Sequence, residues 1–200
     1  MNLLRDQQPD EPGPAWPPCP FWDWAEAFYA RPGVAETCLG LQDRHGHDVI
    51  LVLFALWLAE RGVRLDDRVA VRALSVSTGW REAVVAPLRT LRRQLKAGLA
   101  EPPDELAPEA RQPAQVIALR ARIKALELAS ERLQILALAE LADELTAVAT
   151  PGIPTTGLAR NNLEALIGPA SFDLEAHARL LASLSPLGDQ VGTGGRTGST

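Results

Sequence analysis

Apolar and polar positions alternate along this chain with the spacing of helices, and nowhere with the strict two-residue period of a strand. Phe21, Trp24, Ala25 and Phe28 recur at i, i+3, i+4 and i+7, so a first helix is expected from Pro20 to about Ala30, where Arg31-Pro32-Gly33 stops it. Val34, Cys38 and Leu41 give a narrower stripe for a second helix ending near Arg44, with Gly46 as its left-handed terminator. Val49 to Glu60 has apolar residues on every side, so it reads as a buried central helix capped by Asp48, and other helices must surround it.

Further on, a fourth helix starts at Asp66 or Asp67 and runs to about Leu74. Ser75-Val76-Ser77-Thr78 reads as a break, and a fifth helix follows from Gly79 to Lys96 with Val84, Leu88, Leu91 and Leu95 facing the core. Pro87 lies inside that pattern and predicts a kink or a late start. Glu101 to Pro113 is Pro-rich and reads as a linker, with its edges near 99 and 113. Ala114 to Ala149 is the longest helical stretch. Val116, Leu119, Ile123, Leu126, Ser130 and Leu133 keep a seven-residue pattern there. The stripe then shifts to Leu138, Leu141, Leu145 and Val148, which suggests a bend. Leu158 to Ile167 and Asp173 to Leu184 are expected as two short helices. The reading is an all-α, single-domain helical bundle over 20–184. A disordered Pro-rich arm (1–19) and a disordered Gly-rich tail (185–200) flank it.

Composition narrows the function classes. The 200 residues carry a formal charge of -5, unlike a typical nucleic-acid binder. Yet nine Arg/Lys against three Asp/Glu lie between Arg61 and Gly98, a local net of +6 that leaves -11 for the remainder. That asymmetry hints at an anionic partner. Cys19 and Cys38 form no C-x-x-C pair and no disulfide framework, and free thiols suit a reducing cytoplasm. The N-terminus lacks the basic start and apolar run of a signal peptide. Val49 to Ala59 is too short to span a bilayer, so no membrane is implied.

Three places are candidates for chemistry. The first is the polar cluster Gln42, Asp43, Arg44, His45, His47 and Asp48. Its imidazoles and carboxylates suit proton transfer or metal binding, although helix capping explains the same residues at less cost. The second is Arg89, Arg92, Arg93 and Lys96, a basic side of the fifth helix that suits phosphate contact. With the break at 75–78 it outlines a helix-turn-helix over 66–97. The third is Trp22, which falls off the core stripe of the first helix and is a candidate partner contact. No G-x-S-x-G, H-E-x-x-H, P-loop or dinucleotide fingerprint is present, and no cofactor is implied. The leading expectation is a non-enzymatic interaction or regulatory module with a protein partner. Nucleic-acid binding is the first alternative, and a small enzyme or metal protein built on 42–48 is the second.

Several runs carry a resemblance: Phe21-Trp22-Asp23-Trp24, Tyr29 to Ala35, Cys38-Leu39, Leu41 to Gly46, Asp48-Val49, Leu53-Phe54 and Trp57-Leu58. Pro87-Leu88-Arg89, Leu91-Arg92-Arg93, Leu95-Lys96, Lys124 to Leu128 and Glu131-Arg132 extend it. Together they resemble an uncharacterised proteobacterial family, a conserved domain of unknown function, from Phe21 to near Leu166. The resemblance implies a cytoplasmic helical protein and carries no activity with it.

Overall fold

The computed structural model describes residues 15–100, 112–143, 145, 153–168 and 173–184. These form α1 (Pro20–Tyr29), α2 (Val34–His45), α3 (Val49–Glu60), α4 (Asp67–Trp80), a π-helical turn (Arg81–Val85), α5 (Ala86–Ala100), α6 (Pro113–Asp143), α7 (Thr155–Ile167) and α8 (Leu174–Ala182). No strand occurs among the described residues. The arm up to residue 14, the linker between 101 and 111, Val148 and the tail from 185 lie outside the described residues.

The central helix is where its pattern requires it. Every residue of α3 from Ile50 to Ala59 is buried, because helices surround it on all sides. Packing is heaviest against α7, and α1, α2, α4 and α6 complete the enclosure. Aromatic rings fill the gap to α1: Phe21 stacks on Trp57 with centroids 4.8 Å apart and meets Phe54 at 5.5 Å. Phe28 is fully buried, while Trp24 is half-buried and donates its indole N–H to Glu60 Oε2 at 2.7 Å.

A helix buried on all sides still has polar ends, and two side chains serve the backbone there. Asp48 caps the N-terminus of α3 by accepting from the Ile50 amide at 2.9 Å. Beyond its C-terminus, Asn162 of α7 is wholly buried and spans the turn into α4. The Leu65 amide donates to Asn162 Oδ1 at 2.8 Å. Asn162 Nδ2 donates in turn to the carbonyls of Val63 at 3.0 Å and Ala55 at 3.2 Å.

Two expectations need correction. The break at Ser75–Thr78 is absent: α4 runs through it to Trp80 and continues through the π turn into α5, with no turn between separate helices. The helix-turn-helix over 66–97 therefore does not form. Ser77 stays helical because it is buried and its hydroxyl donates to Asp48 Oδ2 rather than to its own backbone. The irregularity comes later, just ahead of Pro87. A proline supplies no N–H and its ring crowds the carbonyl four residues back, and the preceding turn is widened, with the Ala86 amide bonding to the Arg81 carbonyl.

The second correction concerns the core stripe expected for the fifth helix: Leu91 is 45% exposed and Val84, Leu88 and Leu95 are only partly buried, because the stretch packs on α6 with its charged side. In α6 the seven-residue pattern is split between inside and outside. Ile123 and Ser130 of the expected stripe are buried, but Leu119, Leu126 and Leu133 are exposed by 49%, 57% and 43%. The inward positions between them are Glu127 and Gln134. Polar pairing with α4 and α5 has won over apolar burial at these positions. The later shift of phase is present: Leu138 and Leu141 are buried and Leu145 packs on the core.

Replacing Asn162 with Ala removes three hydrogen bonds and leaves the Leu65 amide without its partner. A loss of about 2–3 kcal/mol of unfolding free energy is expected in a urea titration, with the helical signal unchanged in water.

Candidate functional site

The 42–48 cluster sits where α2 turns into α3. The turn is built by Gly46, whose φ of 69° is the left-handed conformation open to glycine. Its amide donates to the Gln42 carbonyl at 3.1 Å, and the His47 amide donates to the Leu41 carbonyl at 3.3 Å. From this corner the side chains fan out to four other elements. Asp43 pairs with Arg93 of α5 at 3.0 Å on the surface. Arg81 of the π turn donates to the Gly46 carbonyl at 2.9 Å. His45 Nε2 lies 3.1 Å from Oδ2 of Asp173, the residue that caps α8. Arg44 stays exposed and folds back along α2 over Gly40, where an added Cβ would fall 2.8 Å from its guanidinium.

Asp48 does most. Besides capping α3, its Oδ2 accepts from Gln134 Nε2 at 2.8 Å and from the Ser77 hydroxyl, and Gln134 Nε2 also reaches Ser77 Oγ at 2.7 Å. One carboxylate thus links the start of α3 to the last turn of α4 and to α6. The indole N–H of Trp80 adds a second tie, donating to the Ser130 carbonyl of α6.

The basic side of α5 continues this seam. Arg89 Nε donates to Glu127 Oε1 at 2.9 Å, and Arg92 holds both oxygens of the same carboxylate, through Nε to Oε2 and through its terminal nitrogen to Oε1 at 3.1 Å. Arg89 also donates to Glu131 Oε1 at 2.7 Å. Burial alone would push the Glu127 carboxyl up, but the bonds from Arg92 and Arg89 outweigh it and hold the group below the usual carboxylate range. Burial raises Glu131 above that range, with Arg89 opposing it. Two of the four basic residues therefore spend their charge inside the chain, Arg93 is paired to Asp43, and Lys96 is exposed.

Trp22 is half-buried under the Arg132 guanidinium, 4.7 Å from its ring centroid, and the same guanidinium lies over the Trp16 ring at 4.8 Å. Trp16 stays 40% exposed, and Cys19 is buried. Burial also pushes the Cys38 thiol up to about 12, which makes it a core residue rather than a nucleophile.

Sequence reasoning missed Asp173 and His177, which α8 brings to the cluster. All three histidines of the chain meet there, His45 stacking on His47 at 5.7 Å and His47 meeting His177 at 5.9 Å. The one available signal was that His177 is the only histidine outside 42–48. Among the described residues no three His, Cys, Asp or Glu side chains gather closely enough to hold a metal ion. The site acts as a junction: each of its charged groups reaches another element of the bundle, apart from Arg44.

Glu127→Gln leaves two guanidinium groups facing a neutral amide. It is expected to cost about 2–3 kcal/mol near neutral pH in denaturant unfolding. Because the folded value of Glu127 is lowered, its contribution is full above the unfolded value of about 4.3 and disappears as pH falls through the folded one. The difference between wild type and variant is therefore expected to shrink below about pH 4.

Among the described residues, no helix is long and apolar enough to cross a membrane. No curated protein and no solved structure matches the chain. A family model described as "Protein of unknown function (DUF2390)" matches residues 20–138. That span runs from the start of α1 to Leu138 in α6. It includes the Asp48–Ser77–Gln134 links and the Arg–Glu ladder, and it stops short of Asn162, Asp173 and His177. The match covers more than half of the chain, which therefore belongs to the DUF2390 family of proteins of unknown function.

Proposed function

We propose that the protein is a non-enzymatic interaction module whose docking surface is the apolar edge of the α5–α6 hairpin, and that its occupant is an amphipathic helix with acidic flanks from a partner protein. The observation that carries this reading is the exposure of Leu119, Leu126 and Leu133 at seven-residue spacing on one line of α6.

The ion pairs fix how the hairpin is turned. Arg89 reaches forward to Glu131 while Arg92 reaches Glu127, so the two helices run antiparallel with a charged ladder along one edge. On a helical wheel, Leu88, Leu91 and Leu95 share one face of α5, and Leu119, Leu126 and Leu133 share one line of α6 about 100° round from Glu127. Leu91 is exposed by 45%. Ile117 and Leu128, on the other side of α6, are 58% and 47% exposed, but Leu119, Leu126 and Leu133 make the longer run, which gives the hairpin the layout of half a four-helix bundle. Contiguous exposed leucines of this kind mark contact sites more often than ordinary surface.

Charge indicates the occupant. The acids of α6 between Pro113 and Leu133 are Glu127 and Glu131, and both turn toward α5. Its exposed charges over the same stretch are Arg122 and Lys124, both positive, and Arg122 is the one beside the leucine line. A helix laying leucines into this edge with Glu or Asp beside them satisfies both features. The nucleic-acid alternative is less well supported, since Arg89 and Arg92 are already bound to carboxylates. The small-enzyme alternative has little support, because the polar cluster is occupied by structural bonds. Two buried free thiols and the resemblance to a proteobacterial family support a reducing, cytoplasmic setting for this module.

The test uses two labelled helical peptides with the same leucine heptads, one flanked by Glu and one by Lys, followed by fluorescence anisotropy with the full chain. Binding of the Glu peptide alone is expected. It should weaken with salt and fall at least tenfold in the double variant Leu119→Glu, Leu126→Glu, which changes only exposed positions. Equal binding of both peptides, or of neither, overturns the reading. Sedimentation at rising concentration separates another outcome: self-association abolished by the same variant assigns the edge to a second copy and overturns the foreign partner.

A further inference from the structure

The outward face of α4 lies on a different helix from the hairpin edge and takes no part in the bonds of the 42–48 corner. Val69, Ala70, Ala73 and Ser77 form the buried side of this helix. On the opposite side Arg68, Val71, Ser75, Thr78 and Glu82 recur three and four residues apart, the last of them in the π turn. They make one line along the rod, and all five are exposed.

Two features of this face are not explained by the bundle itself. Val71 is exposed by 65%, more than any other large apolar side chain among the described residues. Gly79 lies beside the line, inside the continuous rod of α4 and the π turn, where glycine weakens a helix. Its φ is not positive, and among the described residues nothing lies within 4 Å of where its Cβ would stand. Neither its own conformation nor a crowded neighbour calls for glycine there. A second backbone passing close to α4 does.

The charges say which backbone. Arg68 stands at one end of the line and Glu82 at the other. Arg68 is in the first turn of α4, where the helix dipole favours an anion nearby. A parallel copy of the helix sets Arg68 against its own equivalent. An antiparallel copy, related by a twofold axis at Ser75, sets Arg68 against Glu82 of the second copy, because both are equally far from Ser75 along the chain. The same axis sets Val71 against Gly79 of the second copy, a side chain against an open space. The face is thus complementary to itself in charge and in shape, as a twofold contact requires.

We propose that this face of α4 is a self-association surface, and that it pairs with the same face of a second copy in antiparallel order. One helix face lies at the low end of interface sizes, so the dimer is reversible and concentration-dependent. The two Arg68–Glu82 pairs at its rim set direction and register, while Val71 seated over Gly79 excludes water at the crossing.

Sedimentation velocity of the full chain at rising concentration tests the surface. A shift from monomer to dimer is expected, and it should weaken with salt. Arg68→Glu and Glu82→Arg each bring like charges together and are each expected to weaken association about tenfold or more. The double variant restores opposite signs and is expected to recover the dimer. Gly79→Leu fills the space at the crossing: the dimer is expected to be lost, while thermal unfolding of the dilute chain moves upward or stays in place. A chain that remains monomeric overturns the proposal. Association that survives both single reversals, or that the double variant fails to restore, overturns it equally. So does association lost only in the Leu119→Glu, Leu126→Glu variant, which belongs to the hairpin edge. Binding of the Glu peptide to that edge is expected to be the same in every α4 variant, so the two surfaces stand or fall separately.

Discussion

The structure depends on the burial of one helix on every side. α3 presents no polar face, so it cannot lie on a surface, and the rest of the chain has to be arranged to surround it. That constraint brings α7 back across the bundle after the long excursion of α6. It also creates a second demand. Backbone groups at the ends of a buried helix cannot rely on water, and Asp48 at one end and Asn162 beyond the other meet that need. The apolar core and its two polar terminations form one unit, since the helix can be buried only where its end groups find partners.

Much of this was legible in the chain. α3 was readable to its exact ends, because an apolar run between an aspartate and a glycine leaves few alternatives. α1 and α2 followed from stripes and stop signals. The errors have a common origin. Ser75 to Thr78 reads as a break when propensity alone is weighed, but Ser77 has a buried partner in Asp48 that local sequence does not reveal. Leu119, Leu126 and Leu133 share one seven-residue pattern with Ile123 and Ser130, yet they lie outside, and Glu127 and Gln134 take the inward places because Arg89, Arg92 and Asp48 pair with them. In both cases a long-range polar pair overrides a short-range rule, and such pairs are invisible until the fold brings the residues together.

The same principle governs the candidate site. Residues 42–48 were legible as the densest polar segment, and capping accounts for Gly46 and Asp48 as read. The contribution of α8 was not legible, since more than 120 residues separate His45 from Asp173. The charge asymmetry of the sequence was real, but its meaning changed in three dimensions. Cations of α5 are matched by carboxylates of α6, so much of the surplus is a bond between two helices rather than an outward-facing field.

The π turn ahead of Pro87 has a consequence of its own. Such a turn holds one residue more than the α-helical turn it replaces, and the surplus is absorbed without disturbing the helix on either side. Each residue of a helix advances the side chains by about 100°, so this single surplus residue sets the angular phase of α5 against α4. On one side of it Ser77 points at Asp48. On the other, Arg89 and Arg92 point at Glu127. The widened turn works as a phase adjuster. It lets one uninterrupted rod satisfy two sets of partners whose positions no regular helix could meet together.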